Sequence, residues 1–172
     1  MRLLSKSMHT RTNIKRFVKS FGFAAQGLAG AVRTERNMRF HLGAAAFVIW
    51  VMRFYELSAC ENAVLYLCIG AVIASELLNT AVESIVDLVS PEKNDMAKKA
   101  KDCAAGAVLV VAFMSVICAV YILWDTAAFT HIWDVLTDRP YRLCILAGAA
   151  VLWLVWVFAG ENKNDSEEIK NG

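Results

Sequence analysis

Four polar residues, Glu76, Asn79, Glu83 and Asp87, interrupt an otherwise apolar stretch of the sequence. At 100° per residue, the steps of seven and eleven residues from Glu76 to Glu83 and Asp87 return to within about 20° of one direction on a helix. An acid at the centre of a bilayer costs about 2.5–3.5 kcal/mol or more, so such residues usually face a cavity or a partner. The spacing therefore predicts a functional polar stripe. A packing stripe satisfied by neighbouring helices is the alternative.

Three carboxylates on one helix face cannot all stay ionised without a cation. Magnesium prefers one or two carboxylates together with substrate phosphates, and Glu35, at the end of a basic segment, could supply a further ligand. Lysines at positions 98, 99 and 101 precede a run of small residues, and cations beside a helix start suit a polyphosphate. The alternative is that these lysines only follow the positive-inside rule for a cytoplasmic loop. The chain has neither a GxxxxGK[ST] loop nor a kinase-type glycine-rich loop.

The composition places these residues in a membrane. Hydrophobic residues make up 58% of the 172 residues, against about 45–50% in a typical soluble domain. The net charge of +2 hides a strong segregation, because the segments 63–75, 103–124 and 143–159 hold no charged residue. This composition excludes disorder and a collagen-like repeat. The five cysteines are scattered without a CxxC pair, so we expect neither a disulfide framework nor a zinc site.

We predict an all-α integral membrane protein whose helices cross the membrane at about 40–57, 62–89, 103–124 and 143–159. The span 103–124 is the clearest, because it is uncharged throughout and long enough to cross about 30 Å of hydrocarbon. The span 40–57 is the weakest, because Arg53 interrupts it. A buried re-entrant helix is the alternative there.

Basic residues set the predicted orientation. Residues 1–39 carry nine lysines and arginines and a single acid, and the segment 90–102 carries four lysines. The positive-inside rule places both segments in the cytoplasm. The loop 125–142 is then outside, and the acidic tail 161–172 returns to the cytoplasm.

The segment 14–33 is predicted to form an amphipathic helix on the inner leaflet, after an N-terminal tail of residues 1–13. Its apolar residues recur at steps of three and four, while its basic residues point elsewhere, which is typical of an interfacial helix. Nucleic-acid binding is the other use of a basic helix. We do not favour it, because the helix is tethered beside a span and carries no recognisable reader motif.

Several ordered blocks resemble the prokaryotic diacylglycerol kinase family. The first is Glu76-Leu77-Leu78-Asn79-Thr80-Ala81-Val82-Glu83, followed by Asp87. The second is Lys101-Asp102-Cys103-Ala104-Ala105-Gly106-Ala107-Val108-Leu109. Upstream, Glu35-Arg36-Asn37-Met38-Arg39-Phe40-His41 is similar to the form common in Gram-positive undecaprenol kinase members. The similarity covers roughly residues 14–124, so residues 125–172 add a loop, a fourth span and an acidic tail to the three-span core.

The resemblance implies a lipid kinase that transfers the γ-phosphoryl group of MgATP to a lipid hydroxyl, as a homotrimer with active sites shared between subunits. It implies Glu76 as the general base and Asn79 as the amide beside it. We expect Asn79 to orient the base or the incoming hydroxyl. The resemblance also implies Glu35 and Glu83 as magnesium ligands. The implied nucleotide-binding residues are Arg16, Glu35, Glu83, Asp87, Glu92, Asn94, Lys101 and Asp102.

Undecaprenol is the first choice of lipid, because of the Glu35–His41 form, and diacylglycerol is the second. We expect ATP, the lipid alcohol and membrane lipids as partners, no nucleic acid, and an active site on the cytoplasmic side of a bacterial cell membrane. An ion-coupled transporter also needs acids near the midplane, but the chain shows no inverted repeat or pair of broken helices. A membrane scaffold without catalysis is the remaining alternative.

Overall fold

The computed structural model describes the backbone of residues 2–92 and 94–159 and the side chains of residues 16–92 and 94–159. The described backbone is helical, without strands, which confirms the all-α class. In chain order the helices are α1 (Arg2–Thr34), α2 (Arg36–Met52), α3 (Ala59–Val89), α4 (Asp95–Leu123), α5 (Thr126–Thr137) and α6 (Tyr141–Phe158).

Helices α3 and α4 form the central hairpin. A capping box starts α3, in which the Ser58 hydroxyl accepts a hydrogen bond from the Glu61 N–H and the Glu61 carboxylate accepts one from the Ser58 N–H. Asn94 starts α4 by accepting a hydrogen bond from the Met96 N–H at 2.8 Å. Midway along the hairpin, the hydroxyl of Ser115 on α4 lies 3.5 Å from the carbonyl oxygen of Cys68 on α3. Polar caps therefore begin both helices of the hairpin.

Three of the described helices, α3, α4 and α6, are long and apolar enough to cross a membrane. Helix α2 is not among them, with 17 residues and a length of about 26 Å at 1.5 Å per residue. It begins at Arg36 and ends at Met52, so the predicted span 40–57 is wrong in its bounds. Arg53 follows the last turn of α2, and the hydroxyl of Tyr55 in the following turn donates a hydrogen bond to the carbonyl of Leu123 at 2.8 Å.

Three other predicted boundaries also need correction. The predicted tail 1–13 is helical from Arg2, and α1 runs on to Thr34, because the stretch 2–13 contains no glycine or proline. The predicted span 103–124 marks only the uncharged part of α4, which starts eight residues earlier, at Asp95. The predicted loop 125–142 contains α5, which the Asp125 side chain caps by accepting a hydrogen bond from the Ala127 N–H. The acidic tail lies outside the described residues.

Helix α1 forms a compact unit of its own, separate from the unit that begins at Glu35. Its aromatic side chains Phe17, Phe21 and Phe23 are exposed, and the Lys19 ammonium lies over the Phe23 ring. Exposed aromatic rings beside basic groups are typical of a helix at a membrane surface. The helical state is confirmed, and the position on the inner leaflet stays a prediction.

Helix α6 packs against α2, and α5 packs against α6. The pairing of α2 with α6 is antiparallel, since Arg36 at the start of α2 stacks on the ring of Phe158 at the end of α6. The predicted fourth span, 143–159, is thus a helix, two residues longer at its start than expected.

Candidate active site

The polar stripe of α3 runs from a buried end to an exposed one. Glu76 and Asn79 are 1% and 6% exposed, Glu83 is half-buried, and Asp87 is exposed. The stripe therefore leads from the interior of the bundle towards the α3–α4 connection. One helix face presents a buried carboxylate, an amide and two more accessible carboxylates in order.

Asn79 contacts Glu83 rather than Glu76. Its side-chain Nδ2 donates a hydrogen bond to Glu83 Oε1 at 3.0 Å, one turn further along α3. The other end of the amide, Oδ1, is buried and has no hydrogen-bond partner in the part of the chain that the structure describes. Sequence reasoning paired Asn79 with Glu76 or with the incoming hydroxyl. The geometry assigns the N–H side of the amide to Glu83 and leaves its acceptor side open.

The start of α2 completes the buried end of the stripe. Glu35 has extended backbone and its side chain makes no capping hydrogen bond, and the Glu35 and Glu83 carboxylates both interact electrostatically with Glu76. Asn37, in the first turn of α2, hydrogen-bonds the Glu76 carboxylate through its side chain. Glu35, at the start of α2, thus interacts with the acidic stripe of α3. Glu35 and Glu76 are 41 residues apart in the sequence.

Asn37 was missed as a site residue by sequence reasoning. It lies inside the block Glu35–His41 that carries part of the family resemblance, but an amide in the first turn of a helix is common and says nothing by itself. Its hydrogen bond to Glu76 on the neighbouring helix α3 is what identifies it as a site residue. The signal that could have found it is therefore positional: it is the second residue after Glu35.

The exposed end of the stripe is joined to α4 by an ion pair between Asp87 and Lys101. The side chains are 65% and 36% exposed, and a pair this accessible to water contributes at most about 1 kcal/mol. Because the pair is weak, Lys101 can leave the Asp87 carboxylate and bind a phosphate instead. Asp102, the next residue, is exposed.

The remaining predicted nucleotide-binding residues lie elsewhere. Arg16 is an exposed residue of α1, in the other compact unit. Glu92 is exposed in the α3–α4 connection, where its carbonyl accepts a hydrogen bond from the Ser90 hydroxyl at 3.3 Å. Asn94 caps α4 through its side-chain oxygen, so a nucleotide contact from it would use the amide nitrogen.

The donor set suits a hard cation. The Glu35 and Glu83 carboxylates both interact electrostatically with Glu76, and carboxylate oxygens are ligands that magnesium prefers. Within the described part of the chain, no group of three or more His, Cys, Asp or Glu side chains converges to hold a metal. Magnesium needs only one or two carboxylates when phosphates supply the other ligands, so the residues fit a metal that arrives with a nucleotide.

An apolar groove of about 200 Å³ runs between α2, α3 and α4. Its lining includes Phe40, Ala44, Leu65, Val72, Ala112 and Val116. Val72, which lines the groove, lies one turn before Glu76 on α3. A long alkyl chain could lie in this groove while its polar end reaches the acid.

The chain is a helical bundle with three described helices able to cross a membrane and with a buried carboxylate one turn from an apolar groove. Residues 22–123 match the family model described as prokaryotic diacylglycerol kinase. The chain belongs to this family and is accordingly a lipid kinase, which uses ATP and a lipid substrate. This membership decides against the transporter and the scaffold without catalysis.

Two relatives share 46% identity with the chain. An undecaprenol kinase of Bacillus subtilis matches over 107 residues, which are 62% of this chain and 87% of that protein. A diacylglycerol kinase of Synechocystis sp. matches over 99 residues, 57% of each chain. A diacylglycerol kinase of Escherichia coli is 27% identical over 114 residues, 66% of this chain and 93% of that protein.

Proposed function

We propose that the protein phosphorylates undecaprenol with MgATP, with Glu76 as the general base. The observation that carries the proposal is the Glu76 carboxylate, which is 1% exposed and whose Oε2 has no hydrogen-bond partner among the described residues. It lies one turn along α3 from Val72, which lines the apolar groove. A buried carboxylate with an open oxygen beside such a groove can accept the proton of a lipid hydroxyl. The undecaprenol kinase relative and the Glu35–His41 block support the choice of undecaprenol.

In the proposed reaction, the lipid hydroxyl lies within hydrogen-bond reach of Glu76 Oε2. Its oxygen forms a bond to the γ-phosphorus, its proton passes to Glu76, and the bond between the γ-phosphorus and the β,γ-bridging oxygen breaks to release ADP. Phosphoryl transfer depends mainly on positioning and on stabilising charge. The buried position of Glu76 keeps competing water away from the proton acceptor.

Glu35 and Glu83 would hold the magnesium ion, which supplies charge neutralisation on the β- and γ-phosphates when it is bound. Asn79 holds one oxygen of Glu83 by its 3.0 Å hydrogen bond, so the carboxylate presents its other oxygen in a defined direction. Such outer partners of metal ligands orient them and raise metal affinity. Asn79 Oδ1 remains able to accept a hydrogen bond from the incoming lipid hydroxyl.

The nucleotide phosphates are proposed to lie between the exposed end of the stripe and the start of α4. Lys101 would leave Asp87 and pair with a phosphate oxygen, because a charge-assisted bond to a doubly charged phosphate is stronger than an exposed pair with a carboxylate. Asp87, Asp102 and the Glu92–Asn94 connection would then contact the rest of the nucleotide. Arg16 of α1 stays a predicted nucleotide contact.

We also propose a homotrimer whose active sites face the cytoplasm. Leu78, Ile85 and Leu88 are large apolar residues of α3 that are 61–83% exposed in the single chain, so lipid or a second copy must cover them. The basic segments on either side of α2 and α3 support the cytoplasmic orientation.

One assay compares the lipids directly. Purified protein in detergent micelles is incubated with γ-labelled ATP, magnesium and either undecaprenol or diacylglycerol. We expect labelled undecaprenyl phosphate to form with the higher kcat/KM. A preference for diacylglycerol, which the Synechocystis relative makes the second candidate, would replace undecaprenol as the substrate. No labelled lipid from either alcohol would overturn the proposal.

A further inference from the structure

Helix α6 lies beyond the family core, which ends at residue 123, yet it contacts the helix that carries Glu35. The contact centres on Trp153 of α6. Its indole lies over Gly43 of α2, and a Cβ built at position 43 would overlap the ring. Glycine at this position therefore makes the notch that admits the indole.

A chain of polar contacts leads from this notch to Glu35. The Trp153 Nε1–H donates a hydrogen bond to the backbone carbonyl of Arg39 at 3.4 Å. The Arg39 N–H in turn donates to the backbone carbonyl of Glu35, also at 3.4 Å. The indole thus contacts the same turn of α2 that begins at Glu35.

Aromatic and cationic contacts hold the same end of α2. The rings of Phe40 and Trp153 have their centroids 5.3 Å apart, and the Arg36 guanidinium lies 5.7 Å from the centroid of the Phe158 ring. About 100° around the helix from Arg36, this turn also contacts α3, because Asn37 hydrogen-bonds Glu76. The first two turns of α2 therefore lie between α3 and α6.

We propose that Trp153 is a positioning residue, through which α6 holds the start of α2 so that Glu35 and Asn37 meet Glu76. The proposal rests on the proposed function, since it assigns Glu35 to the metal. A free helix end would move relative to α3 and change the separation of the Glu35 and Glu83 carboxylates. Trp153 is neither a proposed metal ligand nor a residue that lines the apolar groove, so we expect it to act on metal affinity through α2.

The first test measures the order of α2 without any substrate. Hydrogen–deuterium exchange is followed in the full-length protein in micelles for Trp153→Ala and for Trp156→Ala, an exposed tryptophan of the same helix. We expect Trp153→Ala to speed exchange of the amides of residues 36–43 by about tenfold or more, because their support is lost. Exchange over residues 76–83, and throughout the Trp156→Ala protein, should stay at wild-type rates. Equal exchange over 36–43 in both variants would overturn the proposal.

The second test measures metal affinity without turnover. Binding of Mn²⁺ in the presence of a non-hydrolysable ATP analogue is followed by electron paramagnetic resonance. We expect Trp153→Ala to weaken Mn²⁺ binding roughly tenfold, the effect of losing an outer-shell support, and Trp153→Phe to weaken it less because the ring remains. Loosened α2 with unchanged Mn²⁺ affinity would reduce Trp153 to structural packing and overturn its positioning role.

The Gly43 notch supplies a matched double-mutant cycle. Gly43→Ala alone should weaken Mn²⁺ binding, because its methyl group displaces the indole. In the Trp153→Ala background the methyl group has room, so the double variant should bind Mn²⁺ no more weakly than Trp153→Ala alone. Additive effects would contradict the contact. Hydrogen–deuterium exchange and Mn²⁺ binding need no lipid. If the wild-type protein phosphorylated neither alcohol, the proposed function would be overturned, but these two measurements would still decide whether Trp153 positions α2.

Discussion

Helices α3 and α6 are both able to cross a membrane, yet they bury different chemistry. Helix α3 buries Glu76 and Asn79, whereas the buried residue of α6 is Val157. Beyond Arg142, α6 contains no charged residue. Polar groups in a bilayer are costly and are retained for function, so the difference separates a helix that carries the chemistry from one that supports it by packing.

The largest expected effect comes from removing the buried carboxylate of α3. Glu76→Gln keeps the shape of the side chain but accepts no proton, so we expect lipid phosphorylation to fall by about 10²–10⁴-fold. Thermal unfolding should show a folded protein, because a neutral amide is cheaper to bury than an acid. Glu61→Gln is the matched control on α3, since glutamine also satisfies a capping box. Near-normal turnover in Glu76→Gln would remove Glu76 as the base.

The reverse experiment places an acid on α6. Leu152 is 71% exposed, and Leu152→Asp adds a charge without a partner, which should cost about 2.5–3.5 kcal/mol of insertion free energy near a helix centre. We expect a large loss of membrane-inserted protein, measured by fractionation, with the specific activity of the inserted fraction unchanged. Leu152→Ala should insert normally. A loss of specific activity at normal insertion would assign α6 a direct part in the chemistry.

Glu83→Gln tests the proposed metal site. The variant keeps a hydrogen-bond acceptor for Asn79 but loses the negative charge, so we expect the magnesium concentration for half-maximal activity to rise by about 10-fold or more. Activity should partly return at high magnesium. Asp134→Asn on α5 is the control from the added segment and should leave the titration unchanged. An unchanged magnesium titration in Glu83→Gln would count against its role as a ligand.

The smallest expected effect compares two helix caps. Asn94→Ala removes the cap of α4 and Asp125→Ala that of α5, and each accepts a hydrogen bond of 2.8 Å. Each substitution should lower the free energy of unfolding by about 1 kcal/mol. Only Asn94→Ala is expected to raise the KM for ATP, because Asn94 belongs to the proposed nucleotide site. If both variants had the same KM for ATP, Asn94 would act only as a helix cap and not as a nucleotide contact.

The polar stripe of α3 could be predicted well from the sequence, whereas the bounds of the neighbouring helices could not. The stripe of Glu76, Asn79 and Glu83 follows from the helical repeat alone, and the structure places all three on one face. The starts of α1 and α4 and the helical state of α5 were missed, because hydropathy marks the part of a helix that suits hydrocarbon and does not mark where its backbone hydrogen bonds begin or end.

The sequence by itself determined the class of protein and the face of α3 that carries the acids, since both depend on composition and on the repeat within one helix. Only the tertiary structure decided which groups meet across helices: Asn37 with Glu76, Lys101 with Asp87, and Trp153 with Gly43. The physical reason is that such contacts depend on the rotation and relative height of packed helices. Those are set by how side chains of distant segments interdigitate, and no periodicity within one segment specifies them.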